Sequence, residues 1–207
     1  RRLAPCAQPL QGVIQRLPNL LQSICGHTRA RHDSELQVQI ARHISTRYAH
    51  RAQSIEPMVR LMAEQFVARP GNYLAFFSSY EYLQQVADAF AQRHPKITHW
   101  RQSRRMGEAQ QREFLEQFTE TSAGIGFAVL GGAFAEGIDL PGKRLIGAFL
   151  ATLGLPQFNA VNEQISARMN TLFEGQGYDY TYLYPGLQKV VQPAGRVIRT
   201  PEDGGVI

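Results

Sequence analysis

The sequence predicts an α/β fold in which a mainly parallel sheet lies between two layers of helices. Three observations predict it. Short apolar runs alternate with segments of helical periodicity, the connections between them are short, and 43% of the 207 residues are apolar while 19% are charged. Alternating strands and helices are typical of βαβ units and therefore of parallel strands. The apolar content allows a full core, and the length favours one domain or one and a half.

The chain divides into two parts. Residues 34–207 are predicted to form the α/β domain. Because the sequence lacks an initiator Met and stops where a strand begins, we expect it to be a segment of a longer protein. Residues 1–33 are predicted to be a helical segment or linker, because apolar residues recur there at spacings of three and four: Leu10, Val13, Ile14, Leu17, Leu20, Leu21 and Ile24.

The α/β domain opens with a strand and a long helix. Apolar and polar residues alternate at 36–45, which predicts a half-buried strand. Apolar residues then follow helical spacing at 55–69. Ser54 is the predicted N-cap of this helix, and Pro70-Gly71 is its predicted stop.

Strands and helices alternate through the rest of the chain. The apolar aromatic run at 72–79 predicts a buried strand with Phe76 and Phe77 in the core. The Gln-Pro-Ala-Gly run at 192–195 is expected to start a helix, and a last strand is expected to begin at 204–207. The other predicted strands are 97–100, 126–132 and 144–155, and the other predicted helices are 80–93, 107–120 and 161–173.

Composition favours a polyanionic partner over a metal site or a membrane span. The chain has 22 basic and 17 acidic residues, which gives a net charge of +5. Its two cysteines, Cys6 and Cys25, are too few for a cysteine cluster, and its six histidines have no metal-ligand spacing. No apolar run approaches the roughly 20 residues of a bilayer span. We expect a soluble cytoplasmic protein, nucleoid-associated in a bacterial-type cell, with no membrane partner.

Residues that follow apolar runs are the first candidates for a site, because ligands of open parallel sheets lie beyond the carboxyl ends of the strands. One such stretch is 76–83. Ser78 and Ser79, with the free N–H groups of the next helix, could hold a nucleic-acid phosphate, and Tyr80 could pack or stack. The alternative is that serine only caps this helix.

A second stretch, 131–142, is rich in glycine. Gly132 and Gly137 would let backbone N–H groups approach a phosphate or a sugar, and Asp139 could accept hydrogen bonds from ribose hydroxyls. Glu136 lies beside Gly137 and is part of the same candidate site. The alternative is an ordinary turn after a strand, with Asp139 as a cap.

The third stretch, 192–199, places Arg196 and Arg199 three residues apart. On a helix both would project from one face and could reach one triphosphate, with Gln192 one turn before Arg196. The alternative is a helix with a solvated arginine face. The sequence has no GxxxxGK[ST] loop, so nothing in it can cradle a triphosphate unaided.

The order and spacing of these stretches resemble the second motor domain of superfamily 2 DNA helicases, in particular the XPD/DinG-like group. The resemblance implies a three-layer RecA-like domain of the P-loop NTPase type, which forms half of an ATP-driven motor. It covers most of residues 34–207. The residues that carry it are RYAHR (47–51), GNYLAFFSSYEYL (71–83) like motif IV, GGAFAEGIDLPGKRLIGAFLATLGLPQ (131–157) like motifs V and Va, and YLYPGLQKVVQPAGRVIRTPEDGGV (182–206) like motif VI.

The resemblance implies roles at an ATP-binding cleft between two motor domains. Arg199 would be the arginine finger toward the γ-phosphate, Arg196 would assist at the phosphates, and Gln192 would help to position them. Glu136 and Asp139 would couple the nucleotide site to the DNA-binding loop, in which Gly137 is the hinge. The motor would move from 5′ to 3′ along single-stranded DNA. The positions in contact with that strand would be Ser78, Ser79, Tyr80 and Gly132.

The resemblance also implies partners that this segment lacks. ATP and Mg²⁺ would be bound mainly by the N-terminal motor domain of the same protein, so we expect the segment alone not to hydrolyse ATP. An iron–sulfur cluster elsewhere in the parent protein is left open. Ser78 departs from the family pattern, which has proline at that position. The rival interpretation is a degenerate RecA-like module that only binds nucleic acid or a protein and needs neither Arg196 nor Arg199.

Overall fold

The computed structural model describes residues 36–131, 134, 138–195, 197 and 205–207. Within these residues six strands form one sheet in the spatial order β1-β6-β5-β2-β4-β3, and every neighbouring pair is parallel. The strands are β1 (Leu36–Gln37), β2 (Asn72–Phe77), β3 (His99–Arg101), β4 (Gly124–Val129), β5 (Gly147–Leu150) and β6 (Gly205–Val206). The helices are α1 (Arg51–Ala68), α2 (Tyr80–Arg93), α3 (Glu108–Glu116), α4 (Ala160–Leu172) and α5 (Tyr184–Ala194), with short helical turns at Tyr48–His50, Gly142–Arg144 and Asp179–Leu183.

Strand β2 is the centre of the sheet, because it pairs with β4 along its whole length and with β5 along most of it. All of its residues are buried. Tyr73, Ala75 and Phe77 belong to one core, and Leu74 and Phe76 belong to the other, since successive side chains of a strand point to opposite faces. A strand buried on both faces has an uninterrupted apolar sequence, and the predicted strand and its two core phenylalanines are confirmed.

Helices and loops cover both faces of the sheet. Helices α1 and α2 pack on the first face, and α3 with two of the loops packs on the second. The predicted α/β fold with a parallel sheet flanked by helices is therefore confirmed. The first core includes Met58, Met62, Leu83, Phe90 and Phe127, and the second includes Phe114, Phe118, Phe134, Ile138, Leu140 and Val197.

Several element predictions agree closely with the structure. Helix α2 has the bounds predicted at 80–93, and α4 lies one residue ahead of the prediction at 161–173. Strands β3 and β4 overlap the predictions at 97–100 and 126–132. Aromatic and apolar residues at these positions fill the two cores, which is why their periodicity predicts the elements.

Three elements are shorter than predicted. The alternating residues 36–45 form a strand only at Leu36–Gln37, where β1, an edge strand, pairs with the two residues of β6 that the structure describes. The apolar run 144–155 forms a strand only at Gly147–Leu150. The last hydrogen bond of this run to β2 is from the N–H of Ala151 to Phe76 O at 2.9 Å. Strand β2 ends at Phe77, so the residues after Ala151 have no strand of β2 beside them. The helix predicted at 107–120 ends at Glu116.

Two helix boundaries correct the predictions. Helix α1 begins at Arg51, so Ser54 is not its N-cap but a buried residue of its first turn, where its hydroxyl donates to Arg51 O at 2.7 Å. The predicted stop at Pro70-Gly71 is confirmed, since α1 ends at Ala68. The Gln-Pro-Ala-Gly run at 192–195 closes a helix rather than starting one, because α5 already runs through Gln192 and ends before Gly195.

The N-terminal segment lies outside the described residues. The helix or linker expected at 1–33, and the division of the chain at residue 34, therefore stay predictions. Among the helices that the structure does describe, none is long and apolar enough to cross a membrane.

Candidate nucleic-acid interface

The carboxyl ends of the parallel strands meet at one edge of the sheet. Ser78 directly follows β2, Gln102 follows β3 and Leu130 follows β4. Backbone hydrogen bonds continue the pairing to this edge, since the N–H of Gln102 donates to Phe127 O and the N–H of Leu130 donates to Phe77 O, both at 2.9 Å. The stretches predicted to form a site after β2 and after β4 therefore lie side by side, at the edge where such sheets bind ligands.

Ser78 shares its hydroxyl with an arginine from α1. Nη2 of Arg51 donates to Ser78 Oγ at 2.7 Å, although the two residues are 27 positions apart in the sequence. A serine hydroxyl that accepts from an arginine can still donate its own proton. The pair therefore presents a guanidinium and an O–H donor together, and both groups suit a phosphate oxygen.

The guanidinium of Arg51 lies between two tyrosine rings. Its Cζ is 5.1 Å from the centroid of Tyr48 and 5.1 Å from the centroid of Tyr82. Burial raises the pKa of the Tyr82 phenol above its ordinary value, and this outweighs the lowering by its hydrogen bond with Ser54 and by the Arg51 charge. Tyr82 is therefore neutral near pH 7, and the rings hold Arg51 by cation–π attraction without neutralising it.

Ser79 and Tyr80 begin α2. Ser79 is the N-cap, and its hydroxyl oxygen accepts the N–H of Tyr82 at 3.3 Å. The capping alternative therefore holds for Ser79, whereas Ser78 bonds to Arg51. The other N–H groups of the first turn of α2 lie at the same edge of the sheet, where they favour an anion.

Gln102 joins three elements at this edge. It is 7% exposed, its Nε2 donates to the hydroxyl of Tyr80 at 2.8 Å, and its Oε1 accepts the N–H of Val129 at 2.8 Å. The exposed Arg104 lies over the ring of the half-buried Tyr80, with its Cζ 5.8 Å from the centroid. Ser78 thus lies near two arginine–tyrosine pairs, one supplied by α1 and its preceding turn and one by α2 and the loop after β3.

The described part of this edge carries the arginines Arg51 and Arg104 and, in the first turn of α2, the carboxylate of Glu81. No carboxylate among the described residues forms a salt bridge with Arg51 or Arg104. Uncompensated arginines attract polyanions such as the phosphate backbone of nucleic acid. The salt bridges found among the described residues join Arg93 with Glu56 and Arg101 with Asp88.

The glycine-rich stretch after β4 is described in part. Gly131 opens it with a φ of +81°, a left-handed conformation that glycine adopts at low cost. Ile138 and Leu140 are buried in the second core, and Asp139 between them is exposed. The predicted site residues Gly132, Glu136 and Gly137 lie outside the described residues.

The arginine-bearing stretch begins at the end of α5, where Gln192 is exposed. Arg196 and Arg199 lie outside the described residues, so their common face stays a prediction. Val197 between them is 2% exposed and belongs to the second core, together with the buried residues of the glycine-rich stretch. The structure thus places Val197 of the arginine stretch and the buried residues of the glycine-rich stretch on the same face of the sheet.

Four residues of the interface are absent from the predicted site: Tyr48, Arg51, Gln102 and Arg104. Gln102 and Arg104 follow β3, so the rule that site residues follow strand ends could have found them. Tyr48 and Arg51 lie in the RYAHR stretch (47–51) that carries part of the helicase resemblance, but neither follows a strand, and Arg51 reaches the edge through the packing of α1 against α2.

Known helicases share this architecture. The family model of the helicase C-terminal domain matches residues 62–207, which is more than half of the chain. The chain belongs to the helicase C-terminal domain family. The C-terminal helicase domain predicted from motifs IV, V and VI is therefore confirmed.

Solved structures show the same fold at low sequence identity. This helicase domain matches "XPD_Helicase" with a TM-score of 0.63 at 16% identity, over 83% of this chain and 30% of that chain. It matches "XPD_APO" with a TM-score of 0.66 at 16% identity, over 87% and 36% of the two chains. For "Structure of S. tokodaii Xpd4" the TM-score is 0.56 at 17% identity, over 87% and 34%. The predicted RecA-like fold is confirmed, and the chain spans about a third of the length of these structures.

Proposed function

We propose that the chain is the C-terminal motor domain of an ATP-dependent DNA helicase. The motor couples ATP hydrolysis to movement from 5′ to 3′ along single-stranded DNA, in DNA repair or replication, as in the DinG-like group. Family membership supports this proposal. The observation that carries it is at the carboxyl edge of the sheet, where Arg51 donates a hydrogen bond to the hydroxyl of Ser78 at the end of the central strand. Arginines, hydroxyls and helix N-termini are the usual contacts to a nucleic-acid backbone.

The DNA strand lies along this edge in the proposal. Ser78 donates its hydroxyl proton to a backbone phosphate, and the first turn of α2 behind Ser79 adds backbone N–H groups. Tyr80, which Gln102 fixes through a 2.8 Å hydrogen bond, packs against the strand. Gly132 contributes backbone from the neighbouring loop.

ATP and Mg²⁺ are bound mainly by the N-terminal motor domain of the same protein, which is the partner of this domain. The nucleotide supplies the phosphoryl group whose transfer drives the motor. Gln192 and Asp139, the described residues proposed for this side, lie at exposed positions, and Ile138 and Leu140 on either side of Asp139 pack in the second core. Arg199 stabilises the charge that develops on the γ-phosphate, and Arg196 and Gln192 hold the phosphates in position. Glu136, Gly137 and Asp139 link this site to the DNA edge.

The arginine finger is the sharpest test of motor function. In the intact protein we expect Arg199→Ala to lower ATP hydrolysis stimulated by single-stranded DNA about a thousandfold or more, because the finger acts on the transition state. Arg199→Lys keeps the charge but not the planar fork and should recover little of the rate. Arg168→Ala is the matched control, since Arg168 is an exposed arginine of α4. The measurement is phosphate release with and without oligo(dT).

Two results would contradict the proposal. Wild-type hydrolysis rates in Arg199→Ala would remove Arg199 from the site. An intact wild-type protein that binds single-stranded DNA without DNA-stimulated hydrolysis would favour the rival interpretation, a RecA-like module that binds without motor activity.

A further inference from the structure

The turn before α1 exposes a large aromatic ring beside an uncompensated cation. Tyr48 is 83% exposed, and the guanidinium of Arg51 lies 5.1 Å from the centroid of its ring. An aromatic ring this exposed adds nothing to the core, and no residue of its own turn is buried. The ring contacts Arg51 and remains available to another flat partner.

Arg51 is partly withdrawn from water without being neutralised. Its Nε is buried and has no hydrogen-bond partner among the described residues, and its Nη2 donates to the neutral hydroxyl of Ser78. None of the described carboxylates forms a salt bridge with it. A charge in such surroundings interacts strongly with an anion, because water screens it poorly. Phosphate is an anion that suits a guanidinium next to a serine hydroxyl, because its oxygens can accept from both groups.

We propose that Tyr48 and Arg51 form one nucleotide-binding element on the single strand. Arg51 binds a backbone phosphate together with Ser78, and the exposed ring of Tyr48 stacks on the adjoining base. This inference rests on the proposed function, since it takes the strand to lie along the same edge of the sheet. It gives a separate chemical task to each of two residues of the RYAHR stretch, for which the sequence analysis predicts no role.

A second pair at the same edge repeats the arrangement. Arg104 lies over the ring of Tyr80, two residues after Ser78, at 5.8 Å from the centroid. Proteins that hold single strands without base preference combine cations that follow the backbone with aromatic rings that stack on bases. Both components occur twice around Ser78, in Tyr48 with Arg51 and in Tyr80 with Arg104. The ligand class is therefore a single strand whose bases are unpaired.

The test uses the intact protein and two strands of equal length, oligo(dT) and an abasic strand with the same phosphates. Binding is measured by fluorescence anisotropy over a series of KCl concentrations. Tyr48→Ala should weaken binding of oligo(dT) about fivefold or more and leave the abasic strand unaffected, because only the former has bases to stack. Tyr48→Phe keeps the ring and should keep the affinity.

Arg51→Ala should weaken binding of both strands. The slope of log K against log salt should also fall by about 0.7, the loss expected for one phosphate contact of a single strand. Arg60→Ala is the control, because Arg60 is an exposed arginine of the same helix, about 14 Å further along its axis. It removes the same charge and should leave the slope unchanged. Thermal melting of each variant shows whether the fold is retained.

The outcomes separate this inference from the proposed function. A wild-type protein that binds neither strand contradicts both. If Ser78→Glu abolishes binding while Tyr48→Ala weakens both strands equally or neither, only the stacking of Tyr48 is overturned, and with it the combined element. If Arg51→Ala weakens binding no more than Arg60→Ala does, the phosphate contact is overturned.

Discussion

The two ends of the sheet use similar polar residues in different ways. At the amino ends of β2, β4 and β5, polar side chains bond to backbone carbonyls or to each other. At the carboxyl ends, Arg51 and Arg104 bond to or stack on neutral groups and keep their charge uncompensated among the described residues. The polar side chains at the amino ends stabilise the fold, whereas the arginines at the carboxyl ends can still bind an anion.

Asn72 is an example of a polar side chain at the amino ends of the strands whose hydrogen bonds are made within the protein. It is fully buried at the start of β2, its Nδ2 donates to Thr119 O at 2.7 Å, and its Oδ1 accepts from the Ser122 hydroxyl at 3.0 Å. These bonds fix the turn that leads into β4. Both ends of the amide are satisfied within the protein, so this end has no reason to attract a ligand.

The largest effect on stability is expected from removing the hydrogen bonds of Asn72. Asn72→Ala should lower the free energy of unfolding by about 2 to 3 kcal/mol, because it leaves buried hydrogen-bonding groups without partners. Thr121→Ala, in the same turn but exposed, should change it by less than about 0.5 kcal/mol. Urea denaturation measures both. The affinity of the folded protein for single-stranded DNA should stay unchanged, and a parallel loss of affinity would show that the amino end also takes part in binding.

The central elements of this fold could be predicted from the sequence, whereas the lengths of two other strands could not. Strand β2 and helix α2 bury residues at fixed intervals, so periodicity alone indicates them. Residues 36–45 and 144–155 have strand-like composition, but a strand also needs a neighbour of equal length. The lengths over which β1 and β5 pair depend on tertiary structure and cannot be predicted from the local sequence.

An intermediate effect is expected at Gln102, where stability and binding should change together. Gln102→Leu removes the acceptor of the Val129 N–H and the donor to Tyr80. We expect a loss of about 1 to 2 kcal/mol in the free energy of unfolding. Oligo(dT) binding should also weaken, because the ring of Tyr80 is no longer fixed.

Gln92→Leu is the control for Gln102→Leu, since Gln92 is exposed on α2 and far along that helix. It should leave stability and binding close to those of the wild type. A Gln102→Leu protein that is less stable but binds oligo(dT) normally would exclude Tyr80 from the interface and leave Gln102 with a structural role only.

The site was predictable to the extent that its residues follow strands. Ser78 and Ser79 follow β2 directly, and the structure gives them different partners that the sequence could not distinguish. Arg51 reaches Ser78 across 27 positions, through the packing of α1 on α2, and a single sequence contains no sign of that contact. The roles of Arg196 and Arg199 stay predictions, since both lie outside the described residues.

The smallest expected effect compares two arginines directly. Arg144 at the amino end donates from Nε to Phe118 O at 2.8 Å and from Nη2 to Leu115 O at 3.5 Å, so it bonds to carbonyls at the end of α3. Arg144→Ala should lower the free energy of unfolding by about 1 kcal/mol and leave the salt dependence of DNA binding unchanged. Lys143→Ala removes the same charge from the neighbouring exposed residue and should change neither. If Arg144→Ala reduced the salt slope as much as Arg51→Ala, a satisfied arginine would bind phosphate as well as an uncompensated one. The difference between the two ends of the sheet would then not determine where the strand binds.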